Sequence, residues 1–343
     1  MVSEYRKDLI TSDLVVIAPG RAKRPEAFIF PPRIAETEEQ IKNCFFCEGN
    51  ESQTPPEIFA LRNPGSKADG PGWRIRVVPN KFPTFGEAKK TIIKKVDLYE
   101  KITTPGVHEV IILHDHKKGL ADLGIDGLKE LLGALQERYL ANKTNKEVSY
   151  ILIIENYGQT SGASIHHPHL QLFGFSNFEN SLIAKELDGA RSYLAQFGTC
   201  PWCDIVNLER KKEIRIVAEN KDFIAIVPFA ARSPFEVQIL PVQHSAFFEN
   251  LSSSQKESLA EILKSVLTKI KKGLSDPDYN FYFHTAPTQC YQTEQGCVIP
   301  SYFHWHLSVL PHVTNFGGFE YATGMIVNVM LPEEAAQFLK HIN

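Results

Sequence analysis

The same order of chemically distinctive residues runs through this 343-residue chain twice. In the first pass, Cys44-Phe45-Phe46-Cys47 is followed by an apolar run from Trp73 to Val78 that ends at Pro79. A second run, Glu109 to Leu113, leads to His116, and a third, Tyr150 to Ile154, precedes His167-Pro168-His169. In the second pass, Cys200-Pro201-Trp202-Cys203 precedes Phe223 to Val227, ending at Pro228. Phe235 to Leu240 then leads to His244, and Tyr279 to Phe283 precedes His304-Trp305-His306. A series of correspondences kept in order points to a duplicated unit, so each half must build the same arrangement of strands.

The periodicities fill in that unit. Short apolar runs rich in β-branched and aromatic residues read as strands. Helical patterns run from Leu123 to Tyr139 and from Ser254 to Ile270, each following the middle histidine. Asp122 and Asn250 stand just before them and are expected to help start the helices. Leu182 to Gln196 resembles a connecting helix, which puts a boundary near Phe197-Gly198. The chain therefore divides into residues 1–196 and 197–343. Too few helices alternate with the strands for a doubly wound sheet, so the class is α+β, with antiparallel sheets and flanking helices. Thr84 to Thr104 has no partner in the second half and reads as an insertion.

Composition narrows the partners. Thirty-seven basic against forty acidic residues leave a net charge of -3, which excludes a nucleic-acid binder held by bulk electrostatics. A small phosphorylated substrate needs only local cations and amides. Met1 to Asp13 carries charges where a signal peptide needs an apolar core, and no apolar run approaches the roughly 18 residues of a membrane span. A cytoplasmic protein with no membrane partner is expected.

Six cysteines in such a chain do not read as a disulfide framework. The two C-x-x-C pairs read instead as metal half-sites. Each half supplies two thiols, one distant histidine and the first histidine of its H-x-H. The sets are Cys44, Cys47, His116 and His167, and Cys200, Cys203, His244 and His304. Two thiolates and two imidazoles suit tetrahedral zinc and leave no open position, so both sites are expected to be structural. Iron could replace zinc in one of them. His114 competes with His116, and His166 with His167; the repeat decides both. Cys290 and Cys297 have no counterpart in the first half and read as ordinary thiols.

The loop ending in His167-Pro168-His169-Leu170-Gln171 carries the chemistry. His169 can act as a nucleophile toward phosphorus and Gln171 can donate to a phosphoryl oxygen. Ser161, Gly162 and Ser164 let backbone and hydroxyl groups approach phosphates closely. In the second half, His304-Trp305-His306-Leu307-Ser308 has serine in place of Gln171 and lacks a Ser-Gly-Ala-Ser equivalent upstream. One working site per chain is expected, with a degenerate second copy.

With these residues in view, the whole chain resembles the galactose-1-phosphate uridylyltransferases, a two-domain branch of the histidine-triad superfamily. The matching pieces are Arg6-Lys7-Asp8, Val15 to Pro19, Arg21 to Pro25, Cys44 to Cys47, Thr54-Pro55-Pro56-Glu57, Val77 to Pro83, Asn156 to Gln171 and Phe303 to His306. The resemblance implies tandem histidine-triad-like domains. It implies a ping-pong transfer of UMP between UDP-glucose and galactose 1-phosphate through a nucleotidyl-histidine at His169. Arg21, Arg24, Asn80 and Asn156 are implied to bind the nucleotide sugar and sugar 1-phosphate. Phe45, Phe46 and Phe82 are implied to wall the base. A homodimer whose sites borrow residues from the partner is implied as well.

One segment departs from the pattern. Thr314-Asn315 stands where uridylyltransferases carry lysine and phenylalanine, and Gly317-Gly318-Phe319-Glu320 is also similar to a plant ADP-glucose phosphorylase. Glu320 could hold sugar hydroxyls under either reading. The alternative function is therefore adenylyl transfer to inorganic phosphate. A nucleotide-sugar hydrolase and a zinc-stabilised nucleotide-sugar-binding protein are weaker alternatives, because retention of His169 together with Gln171 favours transfer.

Overall fold

A computed structural model describes residues 2–21, 28, 33, 36–85, 88, 90–176, 178–179, 181–289, 291–293, 296–298 and 300–342, those of 291–298 by backbone alone. Ten strands form one antiparallel sheet. The first half supplies β1 (Phe59–Arg62), β2 (Trp73–Pro79), β3 (Val107–Leu113), β4 (Tyr150–Tyr157) and β5 (His169–Phe175). The second supplies β6 (Ile216–Glu219), β7 (Phe223–Ile226), β8 (Val237–Pro241), β9 (Tyr279–His284) and β10 (His306–Pro311). Their order across the sheet is β1-β2-β3-β5-β4-β9-β10-β8-β7-β6. Read inward from either edge, the sequence of equivalent strands is identical, so the duplicated unit of the sequence is a duplicated half-sheet. The halves meet at β4 and β9, where Asn156 faces Asn280 and Glu155 faces Phe281.

Alternation along the strands sends one set of side chains toward helices and the other to the opposite face. Ile75, Val77, Ile111, Leu113, Ile151, Ile153, Leu170 and Leu172 join Phe281, Phe283, Leu307 and Val309 in the principal core. That core is closed by α1 (Ile125–Lys143), α4 (Ser253–Gly273) and the C-terminal α5 (Pro332–His341), with α2 (Leu182–Phe197) and α3 (Pro201–Lys212) between them in sequence. The side-chain amide of Gln136 on α1 donates to the carbonyls of Glu249 and Leu251 at 2.8 and 2.9 Å, tying α1 to the segment that enters α4.

The helix starts correct one expectation. Asp122 and Asn250 do not cap; each closes a short 3-10 turn, Leu120–Asp122 and Phe248–Asn250. Helix α1 has Gly124 at its N-cap position and therefore no side-chain cap, whereas Ser252 and Gln255 form a capping box on α4. The extra turn moves each helix start beyond the acidic or amide residue, and Asp122 instead pairs with Lys271 at 2.7 Å.

The opposite face is covered unequally. Over the second half, α2 and α3 pack Leu187, Ala190, Trp202 and Val206 against Tyr150, Ile224, Ile226, Leu240 and Phe303. Over the first half the described residues form a smaller cluster of Phe46, Trp73, Val78, Val110 and Ile112. Within Thr84 to Thr104, Ile92–Val96 pairs with Tyr99–Thr103 as a separate antiparallel hairpin. No helix among the described residues is long and apolar enough to cross a membrane.

Glu155, on the helix-facing side of the seam, is 1% exposed. Tyr279 Oη donates to its Oε2 at 2.9 Å, and Oε1 meets no hydrogen-bond partner among the described residues. Burial pushes its carboxyl up to about 8. The folded state therefore keeps a proton that the unfolded chain has released, and the stability linked to this group falls as pH rises from the ordinary carboxylate range through about 8. Glu155→Gln stays neutral throughout. It is expected to melt several degrees above the parent at about pH 8.5, with the gap closing near pH 5. Thermal unfolding at both pH values checks this; an equal offset at both would contradict it.

Candidate active site and metal centres

The two C-x-x-C turns each face two histidines. In the first centre, Cys47 Sγ lies 3.1 Å from His116 Nδ1 and 3.5 Å from His167 Nδ1, and Cys44 Sγ lies 3.7 Å from His167 Nδ1. The two Nδ1 atoms are 3.1 Å apart. The other ring nitrogen of each histidine is committed: His167 Nε2 donates to Leu113 O at 2.6 Å, and His116 Nε2 to Glu36 Oε2 at 2.6 Å. Each Nδ1 is therefore a bare lone pair, and two lone pairs at this distance repel unless a cation lies between them. Ligand bonds of 2.0–2.3 Å imply tetrahedral edges of about 3.3–3.8 Å, close to the spacings found here. Burial pushes His167 down to about 4, which keeps it neutral and able to ligate. Burial and the neighbouring Cys44 push the Cys47 thiol up to about 12 when no cation offsets them.

The second centre repeats this pattern. His304 Nε2 donates to Pro241 O at 3.0 Å and His244 Nε2 to Ser301 O at 2.7 Å, so both Nδ1 atoms again face the thiols. Cys203 Sγ is 3.4 Å from His244 and 3.6 Å from His304, and Cys200 Sγ is 3.9 Å from His304. Cys200 caps α3, with Cys203 in its first turn. A hydrogen bond from Cys203 holds the Cys200 thiol well below its ordinary value and pushes Cys203 up. Leu113 and Pro241, which brace the two H-x-H histidines, end the equivalent strands β3 and β8. His114 lies outside the first group, edge-on to Trp73.

His169 opens β5. Its Nδ1 donates to His167 O at 2.8 Å, so Nε2 carries the lone pair. The residue is 8% exposed, and burial lowers its pKa, which leaves the imidazole neutral at pH 7. Phe46 packs edge-on against it, with ring centroids 5.2 Å apart. In the second half His306 makes the matching contact, Nδ1 to His304 O at 3.2 Å. There, however, Glu186 from α2 closes the other side: its Oε1 is 3.7 Å from His306 Nε2 and its Oε2 is 2.8 Å from His284 Nδ1. Burial would raise the Glu186 carboxyl, but the two imidazoles bring it below its ordinary value. The donor atoms of Glu186, His284 and His306 lie within 4.8 Å of one another, a third group able to hold an ion. His306 is 1% exposed and has no open side.

Two amide networks border His169. In one, His108 Nε2 lies 2.8 Å from Gln171 Oε1 and 3.0 Å from Asn80 Nδ2, while Thr84 N–H donates to His108 Nδ1 at 3.1 Å. In the other, Asn280 Nδ2 donates to Asn156 Oδ1 at 2.8 Å and to Ser161 O at 3.0 Å. His312 Nε2 donates in turn to Asn280 Oδ1 at 2.5 Å. The loop from Gly158 to Ser164 is anchored by Asp278, which accepts from Thr160 N–H and Oγ1 at 2.6 Å each and pairs with Arg33 at 2.6 Å. Gly158, at φ +89°, lies against that carboxylate where a Cβ would collide with it.

The structure thus gathers Asn80 and Gln171 in one network, and Asn156 and Ser161 in the other. Gly162 takes a left-handed conformation at φ +93° beside Asn156, and Ser164 is exposed. Ser161 Oγ is used within the loop, donating to Gly158 O at 2.7 Å. Arg21 is exposed on a turn, and Glu320 Oε2 accepts the Gly317 N–H at 2.8 Å as the cap of its own short helix. Neither residue is joined to the His169 group by a described contact. Arg24 and Cys290 lie outside the described residues. Phe45 and Phe82 are exposed, whereas Phe46 is part of the buried cluster beneath His169. Sequence reasoning missed Glu36, His108, Asp278, Asn280 and Glu186. The run Gly106-Val107-His108 offered one signal, a histidine where strand alternation places it on the same face as Val110 and Ile112.

Two family models cover the chain: the N-terminal domain of galactose-1-phosphate uridyl transferase matches residues 3–178, and the C-terminal domain matches residues 186–340. An ADP-glucose phosphorylase of Arabidopsis thaliana is 31% identical over 99% of this chain and 93% of its own length. A galactose-1-phosphate uridylyltransferase of Thermotoga maritima is 29% identical over 98% of each. The crystal structure of an ADP-glucose phosphorylase from Arabidopsis thaliana with bound ADP-glucose superposes with a TM-score of 0.81 at 30% identity, covering all of both chains. A uridylyltransferase structure at 24% identity and a TM-score of 0.72 shares the fold over 99% of this chain and 98% of that one. With both halves matched and the fold shared end to end, the chain belongs to the galactose-1-phosphate uridylyltransferase family.

Proposed function

We propose that the protein is a nucleotidyltransferase that opens a nucleotide sugar through a covalent intermediate at His169. The observation that carries this reading is the tautomer of His169: Nδ1 is spent on His167 O, and Nε2 keeps a neutral lone pair beside the Phe46 cluster. Nε2 attacks the α-phosphorus of a nucleoside diphosphate sugar. An N–P bond forms as the bridging P–O bond breaks, and sugar 1-phosphate leaves with the electron pair. A phosphate oxygen of the acceptor then attacks the same phosphorus and displaces His169. Gln171 donates to a nonbridging oxygen in both steps, and such a donor contributes about 2.7–4 kcal/mol. The loop of Ser161, Gly162 and Ser164 supplies further donors, with Asn80, Asn156, Arg21, Arg24 and Glu320 assigned to nucleotide and sugar by the resemblance.

Two finer readings share this intermediate. One is UMP exchange between UDP-glucose and galactose 1-phosphate. The other is adenylyl transfer from ADP-glucose to inorganic phosphate, giving ADP and glucose 1-phosphate. The full-length similarity to the Arabidopsis thaliana ADP-glucose phosphorylase supports the second, as does the Gly317-to-Glu320 segment. We take adenylyl phosphorolysis as the leading reading. A homodimer acting in the cytoplasm completes it. His306, shut in by Glu186, makes the second copy a scaffold rather than a second catalyst.

Base-labelled ADP-glucose should leave acid-labile, alkali-stable label on the protein, and inorganic phosphate should release it as ADP. His169→Ala should bind ADP-glucose and take up no label. Label from UDP-glucose alone, released by galactose 1-phosphate, would establish the uridylyl reading. Label retained in the His169→Ala variant would defeat the mechanism.

The donor sets fit zinc, which would be held by Cys44, Cys47, His116 and His167 and by Cys200, Cys203, His244 and His304; its chemistry there is to fix ligand geometry. Elemental analysis should find about two zinc ions per chain, with iron in one centre as the alternative. Glu36→Ala removes the acceptor that orients His116 and should weaken metal retention at the first centre by about 10–100-fold, read by chelator competition. Unchanged retention would refute the role given to Glu36.

A further inference from the structure

We propose that His108 is a positioning residue that fixes which end of the Gln171 amide meets the phosphate, an inference that rests on the nucleotidyl-transfer reading above. A glutamine amide offers an acceptor at one end and donors at the other, and only the donor end helps an anionic phosphoryl group. Left free, the side chain could present either end.

The orientation is decided by a backbone group. Thr84 N–H can only donate, and it points at His108 Nδ1 from 3.1 Å. That nitrogen therefore carries no proton, so the imidazole is neutral and its proton sits on Nε2. Burial acts in the same direction, lowering the pKa of His108. Nε2–H then requires an acceptor, and Gln171 Oε1 lies 2.8 Å away. The other neighbour cannot accept: Asn80 turns Nδ2, itself a donor, toward Nε2 at 3.0 Å and makes no hydrogen bond to a protonated Nε2, while its Oδ1 is held by Phe82 N–H at 2.9 Å. With Oε1 occupied, the NH2 of Gln171 is the end left for a ligand.

The rest of the surroundings hold the imidazole still. His108 is 7% exposed on β3, and its ring lies against Phe173 of β5 with centroids 4.1 Å apart. Its carbonyl accepts Asn80 N–H at 2.8 Å. Register places Val110, two residues on, opposite Gln171, so donor and acceptor sit on adjacent strands of the same sheet face. Thr84 is also the first residue of the segment that has no counterpart in the second half. The root of that insertion therefore reaches the site through the Thr84 N–H, with Phe85 packed on Phe173 beside it. In the second copy Ser308 replaces the glutamine, and no amide needs orienting there.

The test is a double-mutant cycle on single-turnover nucleotidylation of His169 from base-labelled ADP-glucose and UDP-glucose. His108→Phe keeps the ring against Phe173 but removes the donor. It should slow labelling by about 10²-fold, like Gln171→Ala, with little change in the half-saturating substrate concentration. The double variant should be no slower than Gln171→Ala alone, and His108→Gln, which restores a donor, should recover most of the rate. If Gln171→Ala is slow but His108→Phe is not, or if the two losses multiply, His108 has no positioning role. If Gln171→Ala labels as fast as the parent, the role of Gln171 fails and that of His108 with it; if the parent takes no label from either sugar nucleotide, the covalent reading fails. Should His108→Phe not fold, the ¹⁵N shifts of His108 in the unmodified protein decide the matter, because a protonated Nδ1 would overturn the proposal.

Discussion

The arrangement depends on a hydrogen bond made twice: the Nε2–H of the first H-x-H histidine to the carbonyl that ends the neighbouring strand. His167 makes it to Leu113 O and His304 to Pro241 O. Because that bond consumes one ring nitrogen, the other must face the cysteines as a lone pair, which is what a cation needs. The same bond fixes the backbone where the next strand begins. In the first half, the carbonyl of His167 is then the fixed point against which His169 sets its tautomer. The candidate metal group, the strand entry and the proposed nucleophile are thus successive links of one chain of contacts.

Given two copies of this device, the difference between them lies in what covers the sheet. Helices α2 and α3 spread apolar side chains over the second half and carry Glu186 onto His306. Among the described residues the first half receives only the small cluster around Phe46, and no described carboxylate pairs with His169. In the proposed chemistry a neutral imidazole whose lone pair meets no such partner is the nucleophile; the same ring against a buried carboxylate is part of a core. Ser308 in place of the glutamine agrees with the covering, since both differ from the first copy at the group proposed for phosphate chemistry.

Much of this was legible in the residues. The repeated order of Cys-x-x-Cys, histidine and H-x-H foretold two equivalent half-sheets, and the strands and helices lie within a few residues of their apolar runs because burial on one face writes a period into sequence. The metal groups were legible because the repeat aligned them. What escaped was of another kind. His108 reaches Gln171 through the pairing of β3 with β5, Asn280 reaches Asn156 across the β4–β9 seam, and Glu186 reaches His306 from a helix over the opposite face. These contacts join residues far apart in sequence, and no local pattern announces them. Asp122 and Asn250 misled for a local reason, because a 3-10 turn was inserted between a good capping residue and the helix.

The seam between β4 and β9 has a bearing on the history of such a chain. Asn280 and Asp278, on and just before β9 in the second copy, hold Asn156 and the Gly158 loop of the first. A duplication ordinarily leaves a spare that can be discarded. Here the second copy is the wall against which its twin is built, so deleting it would unmake the network around Asn156 and the Gly158 loop. The two halves are thereby bound to be inherited as one unit, joined by hydrogen bonds that neither half could satisfy alone.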